Sequence, residues 1–179
     1  MKFVKLFEPC KLGKLEVPNR IVMPPITSQF PKAGLVTDQM VDFYAERARG
    51  GVGLLIGEDA IIDSPVGHHL YDDLLIDDDK YLPGLCRLAQ AIKAGGAKVA
   101  LNLSHGGRRA GKVDNGQLLM TQGMLPVAPS ALPHPVTGYV VPRELTIDEI
   151  EELEDKFAQA AVRVREAGFD LLSLHGAHM

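Results

Sequence analysis

Three stretches of helical periodicity constrain this chain most. Each closes on glycine, and each is followed within a few residues by a short apolar run. Met40, Val41, Tyr44, Ala45 and Ala48 share one helical face that stops at Gly50-Gly51, and Leu54-Leu55-Ile56 follows. Leu82, Leu85, Leu88, Ala89 and Ile92 repeat the pattern, stop at Gly95-Gly96 and lead into Lys98 to Leu103. Ile147, Ile150, Leu153, Phe157, Ala161 and Val164 stop at Gly168, before Leu171 to Leu174. A further apolar run, Arg20 to Ile26 with Ile21-Val22-Met23 at its centre, precedes the first helix and meets Pro24-Pro25, which cannot donate ladder hydrogen bonds. The order is strand, helix, strand, helix, strand, helix, strand, with units sized for parallel crossovers. Two α/β architectures fit: a doubly wound open sheet, or the first half of an eight-fold barrel. The first strand–helix connection has no G-x-G-x-x-G, which counts against a dinucleotide-binding open sheet. A complete barrel takes about 250 residues. At 179 residues, with about four strands and three helices, the chain matches half a barrel.

Local signals agree with this order. Thr37 is a good N-cap for the first helix, and Thr146-Ile147-Asp148-Glu149 has the form of a capping box for the third. Leu12-Gly13-Lys14-Leu15 predicts a short hairpin within residues 1–19, ahead of the main fold. The segment Ile62 to Asp79 carries His68, His69 and a scatter of aspartates, and is expected to be a solvated acidic loop. The connection Ser104 to Glu144 holds six glycines and five prolines; a connection that long in a compact domain is usually functional. The run Leu171 to Leu174 does not alternate with polar residues strictly and reads as a strand buried on both faces.

Composition narrows the function classes. With 46% hydrophobic residues and a net charge of −4, the chain is one ordinary globular unit with a sizeable core. Basic and acidic residues are interspersed, so nothing suggests a nucleic-acid partner. No apolar run approaches the roughly 18 residues of a membrane span. The start lacks a signal-peptide apolar core of about 7–15 residues, which makes the cytoplasm the expected location. Cys10 and Cys86 have no metal-ligand spacing; Cys86 is expected as a small buried residue and Cys10 as a hairpin thiol.

Chemistry-bearing residues follow the carboxyl end of every expected strand. Thr27, Ser28 and Gln29 follow the first, and Glu58 and Asp59 the second. Asn102, Ser104, His105, Gly106, Gly107 and Arg108 lie at and beyond the third, and His175 and His178 beyond the fourth. In a barrel these ends converge on one mouth. The set has no nucleophile with an obvious base and no metal-ligand pattern. It is rich in neutral hydrogen-bonding groups, which suit holding a flat polar cofactor and polarising a substrate oxygen.

Several of these segments resemble the old yellow enzyme family. They are Asn19-Arg20-Ile21-Val22-Met23-Pro24-Pro25, Leu103-Ser104-His105-Gly106-Gly107-Arg108, Pro126-Val127-Ala128-Pro129-Ser130, Pro142-Arg143-Glu144-Leu145-Thr146, Ala167-Gly168-Phe169-Asp170 and His175-Gly176-Ala177-His178. The branch they look most like is that of the bacterial NADH:flavin oxidoreductases, which includes enoate and dienoyl-CoA reductases. The resemblance runs along nearly the whole chain, in order. It implies that residues 1–179 are the N-terminal half of one FMN-binding (β/α)8 TIM barrel, with residues 1–19 as a hairpin cap.

The resemblance also implies roles. Pro24, Pro25, Ile26 and Thr27 match a flavin-lining segment, with the Thr27 hydroxyl donating to a ring carbonyl. Asp59 or Ala60 matches a flavin-lining position after the second strand. Asn102 falls where the family usually has a glutamine that reaches the pyrimidine edge of the flavin; asparagine is one methylene shorter. His175 and His178 match a pair that grips the substrate's carbonyl oxygen and stabilises enolate-like charge. The implied cofactors are FMN, with NADH or NADPH as hydride donor, and the implied substrate is a small enone or enoyl compound. The family continues with a glycine and a proton-donating tyrosine where this sequence has Met179 and ends. In barrels the phosphate site usually follows strands seven and eight. The chain is therefore expected to be a fragment with little activity alone. The alternative is a non-catalytic half-barrel module that pairs with itself or with a separately supplied second half.

Overall fold

The computed structural model describes residues 3–64, 66–68, 70–114, 116–118, 121 and 123–177. His178 and Met179 lie outside the described residues, as does His69. After a 3-10 turn at Val4–Phe7, β1 (Cys10–Leu12) and β2 (Leu15–Val17) form the expected antiparallel hairpin, with Gly13 at φ +59° in its turn. Four parallel strands then form the main sheet: β3 (Val22–Met23), β4 (Leu54–Ile61), β6 (Lys98–Ser104) and β11 (Leu171–Leu174). The two-residue β5 (Leu74–Leu75) also pairs with β4. The helices are α1 (Asp38–Arg49), α2 (Leu82–Ala94) and α3 (Ile147–Glu166). Within the long connection lie β7 (Val113–Asp114), β8 (Gln117–Leu118), β9 (Val127–Ala128) and β10 (Arg143–Glu144), paired two by two.

Strand order decides between the two architectures. β3, β4, β6 and β11 stand side by side in chain order, so every helix carries the chain one strand onward in the same direction. A doubly wound sheet reverses direction at a switch point; a barrel wall does not. The described residues are the wall of a half barrel. Side chains alternate across it. Leu55, Val99, Leu101 and Leu103 face the helices and meet Met40, Tyr44, Ala48, Leu85, Leu88, Ala89, Ile92, Ala160 and Val164 in one core. On the opposite, concave face, Leu54 and Ala100 pack with Val17 of the hairpin, with Cys10, Leu15, Ile56 and Leu171 around them. The hairpin thus covers the concave face near the amino ends of β4 and β6. Cys86 packs half-buried against the helix-side core.

The helix boundaries follow their signals. Thr37 accepts a hydrogen bond from Met40 N–H, and both halves of the Thr146–Glu149 capping box form. Gly95 sits where α2 runs against α1: a Cβ there would lie 2.6 Å from the Ala48 Cβ.

Five expectations need correction. The first barrel strand is only Val22–Met23, because Pro24-Pro25 ends the ladder and the Ile21 carbonyl is taken by Gly53 N–H and Leu54 N–H. β4 does not stop at Gly57; it runs on to Ile61 through a bulge, where register shifts from Ile56–Ala100 to Asp59–Asn102. The acidic segment is not simply solvated: β5 draws it against β4, and Asp73 is buried. Ile147 is exposed, since the first turn of α3 projects beyond the core. The fourth barrel strand is not buried on both faces, because it forms the sheet edge: Leu172 and Leu174 are 43% and 64% exposed.

Candidate functional site

The bulge in β4 sets the site. Strict alternation from Ile56 would turn Glu58 to the concave face. The extra residue resets the alternation, so Glu58 points to the helices and Asp59 to the interior. Asp59 then stands opposite Asn102 on β6, and Asn102 opposite Ser173 on β11. His175 follows two residues later, its backbone N–H held by the Leu103 carbonyl at 2.9 Å.

The three inward side chains touch. Asn102 donates from Nδ2 to Asp59 Oδ1. The same nitrogen lies 3.2 Å from His175 Nδ1, and His175 Nδ1 lies 3.5 Å from Asp59 Oδ1. Asn102 and Asp59 are buried at 1% and 8% exposure; the His175 ring is half-buried. Ala60, the other candidate after β4, is fully enclosed in the helix-side core, so Asp59 is the one at the interior rim.

The segment after β3 reaches the same end of the sheet from the neighbouring strand. Met23 pairs with Leu55, and the chain beyond it still runs beside β4 at Ser28, which bonds Glu58. Pro24, Pro25 and Ile26 are exposed and Thr27 is half-buried. Among the described residues, Thr27 makes no hydrogen bond to Asp59, Asn102 or His175. The segment is pinned from behind. Ser28 donates its hydroxyl to Glu58 Oε2 at 2.5 Å and its N–H to the same oxygen at 3.3 Å. Tyr44 on α1 donates to that oxygen at 3.1 Å and accepts Glu58 N–H at 3.0 Å. Glu58 is fully buried and its other oxygen, Oε1, has no hydrogen-bond partner among the described residues. Burial pushes its carboxyl above the ordinary range, against the lowering effect of the Ser28 and Tyr44 hydrogen bonds. Burial, with the Glu58 charge beside it, pushes the Tyr44 hydroxyl up as well.

A second network flanks the rim. His105 Nδ1 accepts Gly107 N–H at 3.0 Å, which leaves the ring proton on Nε2, 3.8 Å from Asp63 Oδ2. Lys156 on α3 donates to Asp63 Oδ1 at 2.7 Å. Burial works against ionisation of Asp63, yet the His105 and Lys156 contacts hold its carboxyl below the usual value. His68 Nδ1 and Leu70 N–H both meet Asp73 Oδ2, at 3.2 and 2.9 Å. Arg108 donates to the Pro133 carbonyl at 3.1 Å and so braces the long connection. Beside His175 a cavity of about 590 Å³ is lined by His105, Arg108, Ser130, Leu132 and Phe157 among others. The sequence marked Ser28, Glu58 and His105 by their places after strands. It gave no sign that Glu58 faces outward, since the bulge has no side-chain signature.

A singly wound half barrel with polar groups at its carboxyl-end rim defines the class: a β/α-barrel protein with its site at the strand ends. The model of the NADH:flavin oxidoreductase / NADH oxidase family matches residues 5–179, and the chain belongs to that family. It is 44% identical over 177 residues to an NADH oxidase of Thermoanaerobacter brockii, across 98% of this chain and 26% of the relative. Morphinone reductase superposes with a TM-score of 0.86 at 31% identity, over 96% of this chain and 48% of that one. An old yellow enzyme homologue from Zymomonas mobilis gives 0.83 at 32% identity, with the same coverage of 96% and 48%. The chain therefore spans about a quarter to a half of the length of these proteins. The old yellow enzyme resemblance and the half-barrel fold both hold. FMN, with NADH or NADPH as donor, goes with this family. The rim suits such a group: Pro24–Ile26 form an exposed apolar ledge and Thr27 a half-buried hydroxyl, with the buried Asp59–Asn102 pair on the neighbouring strands.

Proposed function

We propose that this half barrel supplies the flavin ledge and the substrate grip of an FMN-dependent reductase that acts on an activated C=C bond conjugated to a carbonyl. The observation that carries this reading is the meeting of Asp59, Asn102 and His175 at one rim, delivered by three adjacent strands. Pro24, Pro25, Ile26 and Thr27 would line the flavin, with Asp59 and Asn102 at its polar edge. Bound FMN would supply hydride chemistry, recharged by NADH or NADPH. The protein's own part is placement and electrostatics. Glu58, Ser28 and Tyr44 hold the Pro24–Ser28 segment at the strand end. His175 offers an imidazole N–H to the substrate's carbonyl oxygen, where negative charge builds as the neighbouring carbon is reduced. His178 is assigned the same role by resemblance and lies outside the described residues.

The test is anaerobic. In the whole protein carrying FMN, NADH or NADPH oxidation should start on adding 2-cyclohexenone and not on adding cyclohexanone. Equal rates with both, or none with either, would reject the reading.

The exposed edge of β11 favours a second reading in parallel. The open edge of this parallel strand calls for a further strand beside it, and the exposed Leu172 and Leu174, in register with the helix-facing Leu101 and Leu103, call for a helix over them. A second half barrel, or a second copy of this chain, would provide the strand. Size-exclusion chromatography of the 179-residue chain distinguishes these: a well-folded monomer counts against self-pairing.

A further inference from the structure

We propose that Asp59 and Asn102 act as a positioning pair that locks His175 in its Nε2–H tautomer. Asp59 presents carboxylate oxygens, which accept hydrogen bonds. If the Asn102 amide were reversed, its carbonyl oxygen would meet Asp59 Oδ1 acceptor against acceptor. Asn102 is buried at 1% exposure, so it has little access to water as an alternative partner. Asp59 therefore selects the amide orientation in which Nδ2 faces it. That nitrogen carries two hydrogens. One goes to Asp59, and the other points to His175 Nδ1 at 3.2 Å.

A ring nitrogen that accepts a hydrogen bond carries the lone pair, so the proton sits on Nε2. The competing arrangement has Nδ1–H donating to Asp59 Oδ1. That path is 3.5 Å long, at the outer limit of a hydrogen bond, and it would set two N–H groups against each other across 3.2 Å. A locked Nε2–H is a fixed donor. Two groups that need not touch the substrate thereby determine what His175 can offer it. The tautomer stands on this geometry alone; only its use on a substrate oxygen rests on the proposed function.

Long-range proton–nitrogen NMR spectra of the imidazole rings test the lock in the 179-residue chain. They are recorded at mildly alkaline pH, with His175 assigned by its loss in H175Q. The expected result is a protonated Nε2 and an unprotonated Nδ1 as the major form. Asn102→Asp removes the donor and should move the population to Nδ1–H. Asp59→Asn frees the amide orientation and should give a mixture. A merely structural role would change stability without moving the tautomer. Nδ1–H as the major form in the unaltered chain overturns the proposal, as does unchanged Nε2–H in a folded N102D. If N102D does not fold, the unaltered chain still decides. A confirmed Nε2–H without enone reduction would leave the lock standing and reject the activity.

Discussion

Ser28, on the loop after β3, and Glu58, in the bulge of β4, are joined by a hydroxyl-to-carboxylate hydrogen bond of 2.5 Å that fastens the expected flavin ledge to the neighbouring strand. The carboxylate is fully buried, so removing a partner leaves it poorly compensated. Ser28→Ala should cost about 1–3 kcal/mol in urea unfolding, with a larger loss of amide protection in residues 26–28 than in α2.

The same glutamate gives a pH dependence. Its folded-state pKa is raised above the ordinary 4.5, burial being the main cause. Between those values the folded state binds more protons than the unfolded one, so this group's contribution falls as pH rises from 4.5 through the raised value. Glu58→Gln removes that contribution. Urea midpoints measured across the acid-to-neutral range should show a steeper decline for the native chain than for E58Q.

At the other end of the chain the sign is reversed. The Arg143 guanidinium beside Glu149, together with the Thr146 N–H, holds that carboxyl down at about 2. Its contribution is complete above 4.5 and disappears as pH falls toward 2. Thr146→Ala should cost about 1 kcal/mol by removing the N-cap of α3, measurable as a lower thermal midpoint at neutral pH.

The helix-side core is close-packed around Leu101, which is fully buried at the centre of β6. Leu101→Ala should destabilise by about 2–5 kcal/mol, checked by chemical denaturation.

Much of this structure was legible in the sequence. Helix α2 is given by Leu85, Leu88, Ala89 and Ile92 and the glycines that follow, because burial and backbone freedom both act locally there. Asp59, Asn102 and His175 were identifiable as strand-end residues. What escaped was set by tertiary pairing. β5 exists only because Leu74 and Leu75 find β4, and burial of Asp73 follows. The bulge at Gly57–Glu58 depends on register with β6, which no local pattern reveals. Leu172 and Leu174 look like core residues and stand at a sheet edge.

If His175 stabilises charge on a substrate oxygen, His175→Ala should lower kcat/KM for an enone in the whole protein by about 100- to 1000-fold, with flavin content unchanged. Steady-state kinetics under anaerobic conditions measure this.

The central claim is that the carboxyl-end rim is the flavin-facing surface. An NMR titration of the whole protein, freed of FMN and then given it back, tests it most directly. The account predicts shift changes concentrated at Met23, Ile26 to Ser28, Asp59, Asn102 and His175. Changes confined to the hairpin end at Cys10–Val17 or to the helix faces, or no change at saturating FMN, would contradict it.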